Sequence, residues 1–300
     1  MPGHTPPEEV RRLAEERARR RSDRRFDEAD ELRERIRAAG WDVVDRANGF
    51  DLVPVSRRDH PRVRAEDVPS VLEEPPSADW TVHWLGEGWP EDVLRGIASF
   101  DRHSGGRSLH HVIVETVPSA PGTWPDHAEV LRLDGDPGFG AARNAGLRRS
   151  RGRLVAIADG SVEATGDAFQ VLEEVLTDPS VGVAGPAGVV TDDLRAFHTA
   201  DGPDVDAIEG YLVALRRELL DRVEYDRRYR FYRAADIDLS FQVKALGLRA
   251  VRVDVPVRRH VHRAWEAASP GDRERLSKRN MYRFLDRFRG RTDLLVRPPD

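Results

Sequence analysis

The chain has 300 residues, 39% of them hydrophobic and 34% charged, with a formal net charge of −5 at pH 7. That length suits one large domain with a small annex, and the acidic balance argues against a general nucleic-acid coat or an electrostatic membrane anchor. The lack of cysteine excludes disulfides, zinc-thiolate sites and thiol catalysis, no stretch approaches the roughly 20 apolar residues that span a bilayer, and the charged N-terminus is unlike a signal, so the expected setting is cytoplasmic.

Pro6 to Gly40 is almost continuous helix former, interrupted around Ser22 to Phe26. Leu13, Ala14 and Ala18 mark one apolar stripe, and Phe26, Ala29, Leu32, Ile36 and Ala39 mark a second at spacings of three and four, which predicts two short helices folded together. Gly40 stops the second helix, and Trp41 to Val44 with Phe50 to Val55 predicts a hairpin across the Asn48-Gly49 turn. Through Glu16, Arg17, Arg19, Arg20, Phe26, Ala29, Asp30, Leu32, Arg33, Gly40, Asp45 and Gly49, residues 1–58 resemble the small C-terminal helical module of cysteinyl-tRNA synthetases. In those enzymes the module helps to read tRNA, and the basic run Arg17 to Arg25 keeps RNA as one reading. The other is a charged hairpin used for docking to a protein partner or for self-association, and it is the one favoured over RNA.

Residues 59–78 turn to Pro, Glu, Asp and Arg without periodicity and read as a linker. A second domain is expected over 79–263. Thr81 to Leu85, His111 to Val114 and Val130 to Leu133 read as strands, with a helix from Pro90 to Phe100 between the first two. The alternation of strands and helices predicts a mostly parallel sheet flanked by helices.

The stretch from Asp136 to Ser161 organises this domain. Gly138 and Gly140 open a helix carrying Ala141, Ala142, Ala145 and Leu147, and Gly152 precedes the apolar strand Leu154 to Ala158, so Asp159 leaves a strand end. In open α/β sheets ligands gather beyond the carboxyl ends of the strands, where an acid can hold a metal or a sugar hydroxyl. Gly138, Ala142, Arg143, Asn144, Gly146, Gly152 and Asp159 resemble the middle of family 2 glycosyltransferases, inverting enzymes of the GT-A fold. Asp136 stands where that family usually has Asn, and Ser161 stands where the second Asp of its metal-binding pair belongs. The resemblance implies donor contacts from Arg143, Asn144 and Asp159. It also implies one from Glu115, at the end of the second strand, where it would meet a ribose or base edge. The family's first strand ends on a nucleotide-touching segment that here reads Gly86-Glu87-Gly88.

Downstream, Asp167 to Leu176 reads as a helix and Val181 to Ala184 as a strand. Residues 191–207 are polar and turn-rich, either a loop over a site or a plain surface loop. Arg216-Arg217 occupies the place of the family's paired-Arg feature, which makes Arg217 a donor-binding candidate.

Tyr232 to Gly247 places Asp236 and Asp238 at the start of a helix whose apolar face is Leu239, Val243 and Leu246. Acids there favour the helix dipole on their own account. The run also resembles the acidic segment of family 2 glycosyltransferases, which implies Asp236 as general base and Asp238 beside the donor, with Ala235 where a Glu often precedes the base. Leu248 to Val257 is strand-rich and leads to His260 and His262, which share a face if the strand continues. The resemblance makes His260 the metal or diphosphate ligand, with His262 the second choice. Together with Asp159 it implies Mg or Mn held jointly with the donor's phosphates.

Two motifs are set aside. Gly138, Gly140 and Arg143 begin like a dinucleotide fingerprint but lack its third Gly, and Asp134-Gly135-Asp136 precedes the helix where an Asp-x-Asp ligand pair should follow the strand. Residues 264–300 read as a helical tail in which Trp265, Leu276, Tyr282, Phe284, Leu285 and Phe288 pack on the domain or on a partner. The sequence therefore predicts a transferase that moves a sugar from a nucleotide-diphosphate donor to an acceptor hydroxyl. The alternative is a GT-A scaffold that has lost turnover and serves assembly or binding.

Overall fold

A computed structural model describes residues 6–23, 25–39, 41–46, 49–54, 62–120 and 122–297. Contacts divide the chain into Met1–Pro61 and Arg62–Asp300.

The first unit contains α1 (Glu8–Ser22), α2 (Phe26–Ala38) and the antiparallel strands β1 (Trp41–Arg46) and β2 (Gly49–Pro54), with Arg46 opposite Gly49. Val10, Ala14, Ile36, Trp41 and Val43 form its small core, so the apolar spacing of both helices is used as the periodicity predicts. Phe26 and Ala39 are the exceptions and stay exposed. Gly40 and Asn48 lie outside the described residues.

The second unit begins with β3 (Ala78–Gly86), α3 (Pro90–Arg102), β4 (Leu109–Glu115), β5 (Ala128–Arg132), α4 (Phe139–Leu147), β6 (Gly152–Ala158) and β7 (Val162–Ala164). There follow α5 (Ala168–Leu176), β8 (Val181–Gly185), β9 (Gly188–Val190), β10 (His198–Thr199), β11 (Asp204–Val205), β12 (Ala207–Ile208) and β13 (Leu212–Arg216). The chain closes with α6 (Ala235–Ala245), β14 (Arg249–Arg252), β15 (Val257–Arg259), α7 (Arg263–Ala267) and α8 (Pro270–Phe288).

Eight strands form one sheet in the order β11-β14-β8-β13-β6-β3-β4-β5. The β6-β3-β4-β5 half is parallel, whereas β13 runs antiparallel to both β6 and β8. Alternation along the strands divides the core between two faces. Ala156 and Ala158 of β6 join Trp80, Trp84, Phe100 and Phe169 on the face of α3 and α5, while Val155 and Ile157 join Leu215, Leu239 and Val243 on the face of α6. Covered on both sides, β3 is buried from Trp80 to Gly86 and β4 from His111 to Glu115, polar residues included.

The linker expected over 59–78 is corrected from residue 62 onward. Val63 pairs with the Leu133 region, its N–H donating to Arg132 O (3.0 Å) while its carbonyl accepts from Asp134 N (2.8 Å). Ala65, Val68 and Val71 are buried, and the Arg217 guanidinium donates to the carbonyls of Val71, Leu72 and Glu74 at 2.6, 2.9 and 2.7 Å. Apolar residues three apart among charges and prolines leave no compositional mark, yet they strap the segment to the domain. Arg216 ends β13 and Arg217 opens a 3-10 turn, Arg217–Asp221.

The tail packs inward. Phe284 and Phe288 of α8 meet Phe241 of α6 at ring separations of 5.0 and 5.4 Å, and Leu285 is buried beside them. Tyr282 remains exposed, and Trp265 stacks on Phe231.

Candidate active site

A cleft of about 390 Å³ opens where β3 and β6 end, bounded by Glu87 after β3, Asp159 after β6, Gly210 before β13, the start of α6 and His262 before α7. Asp159 is 8% exposed. Its Oδ1 accepts from the Ser161 N–H (2.8 Å) and the Ser161 hydroxyl (2.5 Å). The serine that replaces the second acid thus fixes the first one in place. Oδ2 faces His262 Nε2 across 3.6 Å, too long for a hydrogen bond.

His262 is held by its own local structure. Its Nδ1 accepts the Trp265 N–H (3.2 Å), capping α7, and its ring stacks on Tyr232 at 4.5 Å. A ring that accepts at Nδ1 carries its neutral-state proton on Nε2, so the edge turned to the cleft is a donor. Burial pushes the Tyr232 hydroxyl up to about 12.

Glu87 was no site candidate in the sequence. Desolvation raises its carboxyl, opposed by the charges of His262 and Arg143 and reinforced by Asp159. The strand-end argument that selects Asp159 applies equally to Glu87, one residue beyond β3. Arg143 is buried in the same wall, donating to His83 Nδ1 (2.8 Å), His83 O (3.3 Å) and Ala158 O (3.0 Å). Burial lowers the Arg143 guanidinium and holds His83 well below the usual imidazole range, so His83 is a neutral acceptor.

Asp236 enters the cleft from the first turn of α6. Its Oδ2 accepts the Gly210 N–H (2.8 Å) and its Oδ1 the Ile237 N–H (3.0 Å). Desolvation raises its carboxyl, partly countered by those two N–H groups and by Arg233. A side chain at Gly210 would put its Cβ 2.9 Å from Asp236 Cβ, so the backbone reaches the carboxylate only because residue 210 is glycine.

Asp159, Arg143 and Asp236 therefore line one cleft, as does His262, the second choice for the histidine. The others expected at the donor do not line it. His260 hydrogen-bonds Glu163 at 2.7 Å, because β15 ends at Arg259 and the strand alternation that would have aligned the two histidines is not continued. Glu115 is buried with its oxygens taken by Ser119 N–H, Trp124 Nε1 and Arg132 Nε. Asn144 pairs with the backbone of Tyr225 through its carbonyl (2.9 Å) and its amide (2.7 Å). Asp238, two residues after Asp236, points to the opposite side of α6 and accepts from Gln242, Tyr229 and Arg287. Arg217 serves the strap at residues 71–74.

Asp101, His111 and His127 form a further carboxylate-imidazole group with ligand atoms within 4.8 Å of one another. It lies at the amino-terminal edge of the sheet, where α3 ends and β5 begins. Trp84 Nε1 donates to His111 Nδ1 (3.1 Å), which leaves Nε2 to donate to Asp101 (2.9 Å), so the proton contacts of His111 are already complete.

Residues 112–254 match the family model for glycosyl transferase family 2. No curated protein matches the sequence. Among solved structures, GalNAc-T7 with UDP, GalNAc and Mn2+ is similar at 14% identity and a TM-score of 0.57, covering 70% of this chain and 48% of its own. This chain thus spans about half the length of that relative. The mannosyltransferase PcManGT from Pyrobaculum calidifontis, in complex with GDP-Man and Mn2+, is similar at 18% identity and a TM-score of 0.50, covering 77% of this chain and 79% of its own. The sheet and its flanking helices are those of the GT-A fold.

Proposed function

We propose, from the family 2 pattern over residues 112–254, that this chain is an inverting glycosyltransferase that moves a sugar from a nucleotide-diphosphate donor to an acceptor hydroxyl. The observation that carries the reading is a single cleft holding both Asp159 and Asp236, which come from elements far apart in the chain. Mn2+ with UDP or GDP-mannose in the similar structures supports this donor class.

Asp236 takes the proton of the acceptor hydroxyl as its oxygen forms a bond to the anomeric carbon. The bond from that carbon to the diphosphate breaks on the opposite face, its electron pair leaving with the phosphate, so configuration inverts. The burial that raises Asp236 makes it a stronger base than a surface carboxylate, while the Gly210 N–H aims it. The His262 Nε2–H and the buried Arg143 guanidinium supply hydrogen-bond donors for the departing diphosphate.

The residues fit a hard divalent ion, Mg or Mn. Among the described residues none donates a hydrogen bond to Asp159 Oδ2, and the Glu87 carboxyl is raised in part by Asp159, a repulsion that a cation between oxygen ligands would relieve. When bound, such an ion neutralises charge on the leaving group. Asp159 and Glu87 would hold it, with one carboxylate fewer than the full Asp-x-Asp because Ser161 occupies that place.

Calorimetry with UDP and GDP, each with Mn2+, tests the donor site. Binding should be present in the wild type and fall in Asp159→Asn, and binding unchanged by chelator would remove the metal from the reading. Nucleotide-sugar turnover tests the base. Asp236→Asn should lose about 10²-fold or more. Equal background rates in the two proteins would leave only the scaffold alternative.

A further inference from the structure

We propose that the acceptor carries an anionic group, a phosphate or a carboxylate, that docks on Arg195 and Arg233 in the part of the cleft built by the β9–β10 loop, α6 and α8. The proposal rests on the transferase reading and names the substrate class of that site.

Of the other arginines that line the cleft, Arg259 pairs with Glu209, while Arg143 donates to His83 and to the Ala158 carbonyl. Arg195 and Arg233 line the cleft and, among the described residues, neither forms an ion pair or a side-chain hydrogen bond. Both residues are exposed, but the segments that carry them are held in position. Arg195 sits on a loop fixed by Asp193 Oδ1, which accepts the N–H groups of Arg195 (2.8 Å) and Ala196 (2.9 Å), and by Leu194 and Phe197, which join the cluster around Phe241 and Phe284. The 191–207 stretch is therefore a built wall of the cleft. Arg233 lies over the Trp265 ring at 5.5 Å, and its carbonyl accepts from Asn280 of α8 (2.8 Å). Between these elements the Ser277 hydroxyl lines the cleft, shielded from bulk solvent, with no hydrogen-bond partner. An unpartnered hydroxyl and two unpaired guanidiniums are the donors that a tetrahedral or planar oxyanion takes up.

Arg233 stands three residues before Asp236, on the turn that leads into α6, so its guanidinium belongs beside the base, where the acceptor hydroxyl must lie. Phe197, Ile237 and Met281 give the same end an apolar lining for the body of the acceptor.

The probe is inorganic phosphate, titrated calorimetrically into the full chain alone and in the presence of saturating UDP or GDP with Mn2+. Phosphate should bind in all three cases. Arg195→Ala and Arg233→Ala should each weaken it by about tenfold or more, with Arg195→Lys recovering part of the loss and nucleotide affinity unchanged throughout. Displacement of phosphate by the nucleotide would assign these cations to the donor and overturn the proposal. So would absence of saturable binding, or an adventitious ion only, recognised by equal phosphate affinity in wild type and both alanine variants. If neither UDP nor GDP binds while phosphate binding stays dependent on the arginines, the transferase reading fails and the anion site stands by itself.

Discussion

At the scale of single residues, the buried acid of α6 links stability to function. Its carboxyl is raised above the usual value of about 3.9 because folding removes it from water. Above the folded value the charged carboxylate opposes folding, and as pH falls between the folded value and about 3.9 only the native state takes up the proton, so stability is gained. Asp236→Asn keeps an oxygen for the Gly210 N–H and discards the charge. Its melting temperature should exceed that of the wild type at neutral pH, and the difference should shrink on acidification. A difference that grows toward acid would contradict the direction of the shift. Turnover in the wild type should rise with pH through the same group, since only the carboxylate accepts a proton. The two histidines separate as cleanly. His262→Ala should weaken nucleotide diphosphate binding by about tenfold, whereas His260→Ala, which loses only the Glu163 contact, should stay within about twofold of wild type by calorimetry.

Among elements, α4 shows how packing distance reaches the cleft. A Cβ on Gly146 would fall 1.9 Å from His83 Nε2 and 2.7 Å from a Val114 methyl, so the helix lies against β3 and β4 only because it has none there. Alanine would gain about 1 kcal/mol of helix propensity and cost about 1–3 kcal/mol or more in overpacking, so the clash decides the sign. His83 is also the acceptor that orients Arg143, which carries the disturbance into the wall of the cleft. Gly146→Ala should therefore lower both the melting temperature and nucleotide affinity, and an unaffected affinity in a folded variant would show that Arg143 is positioned by other contacts. The junction of α6 and α8 is simpler. Phe284 is fully buried against Phe241 and Phe288, and Phe284→Ala should cost about 3–5 kcal/mol in denaturant unfolding.

Over the whole molecule, the division at residue 61 is also a division of labour. Each residue of the cleft lies in Arg62–Asp300, and Met1–Pro61 closes its own small core around Ala14 and Ile36. We expect residues 62–300 to fold alone and to bind nucleotide diphosphate with the affinity of the full chain. A loss of binding in that fragment would make the N-terminal unit part of the donor site. No helix among the described residues is long and apolar enough to cross a membrane.

The sequence alone determined where α3, β4 and β6 lie, because apolar periodicity and the glycine and proline stops act over a few neighbouring residues, whereas the short strands β7, β9, β10, β11 and β12 exist only through pairing with other segments. It likewise determined that Asp159 leaves a strand and that Asp236 opens a helix. What only the tertiary structure decided is where each side chain points. Asn144, Arg217 and Asp238 share motif and polarity with the cleft residues, yet backbone carbonyls, a backbone N–H and core partners elsewhere in the chain had already claimed their hydrogen-bonding groups. The strap at 62–77 and the exchange of His260 for His262 have the same cause. Burial and partnering are long-range properties, set by contacts between segments that one-dimensional spacing does not encode.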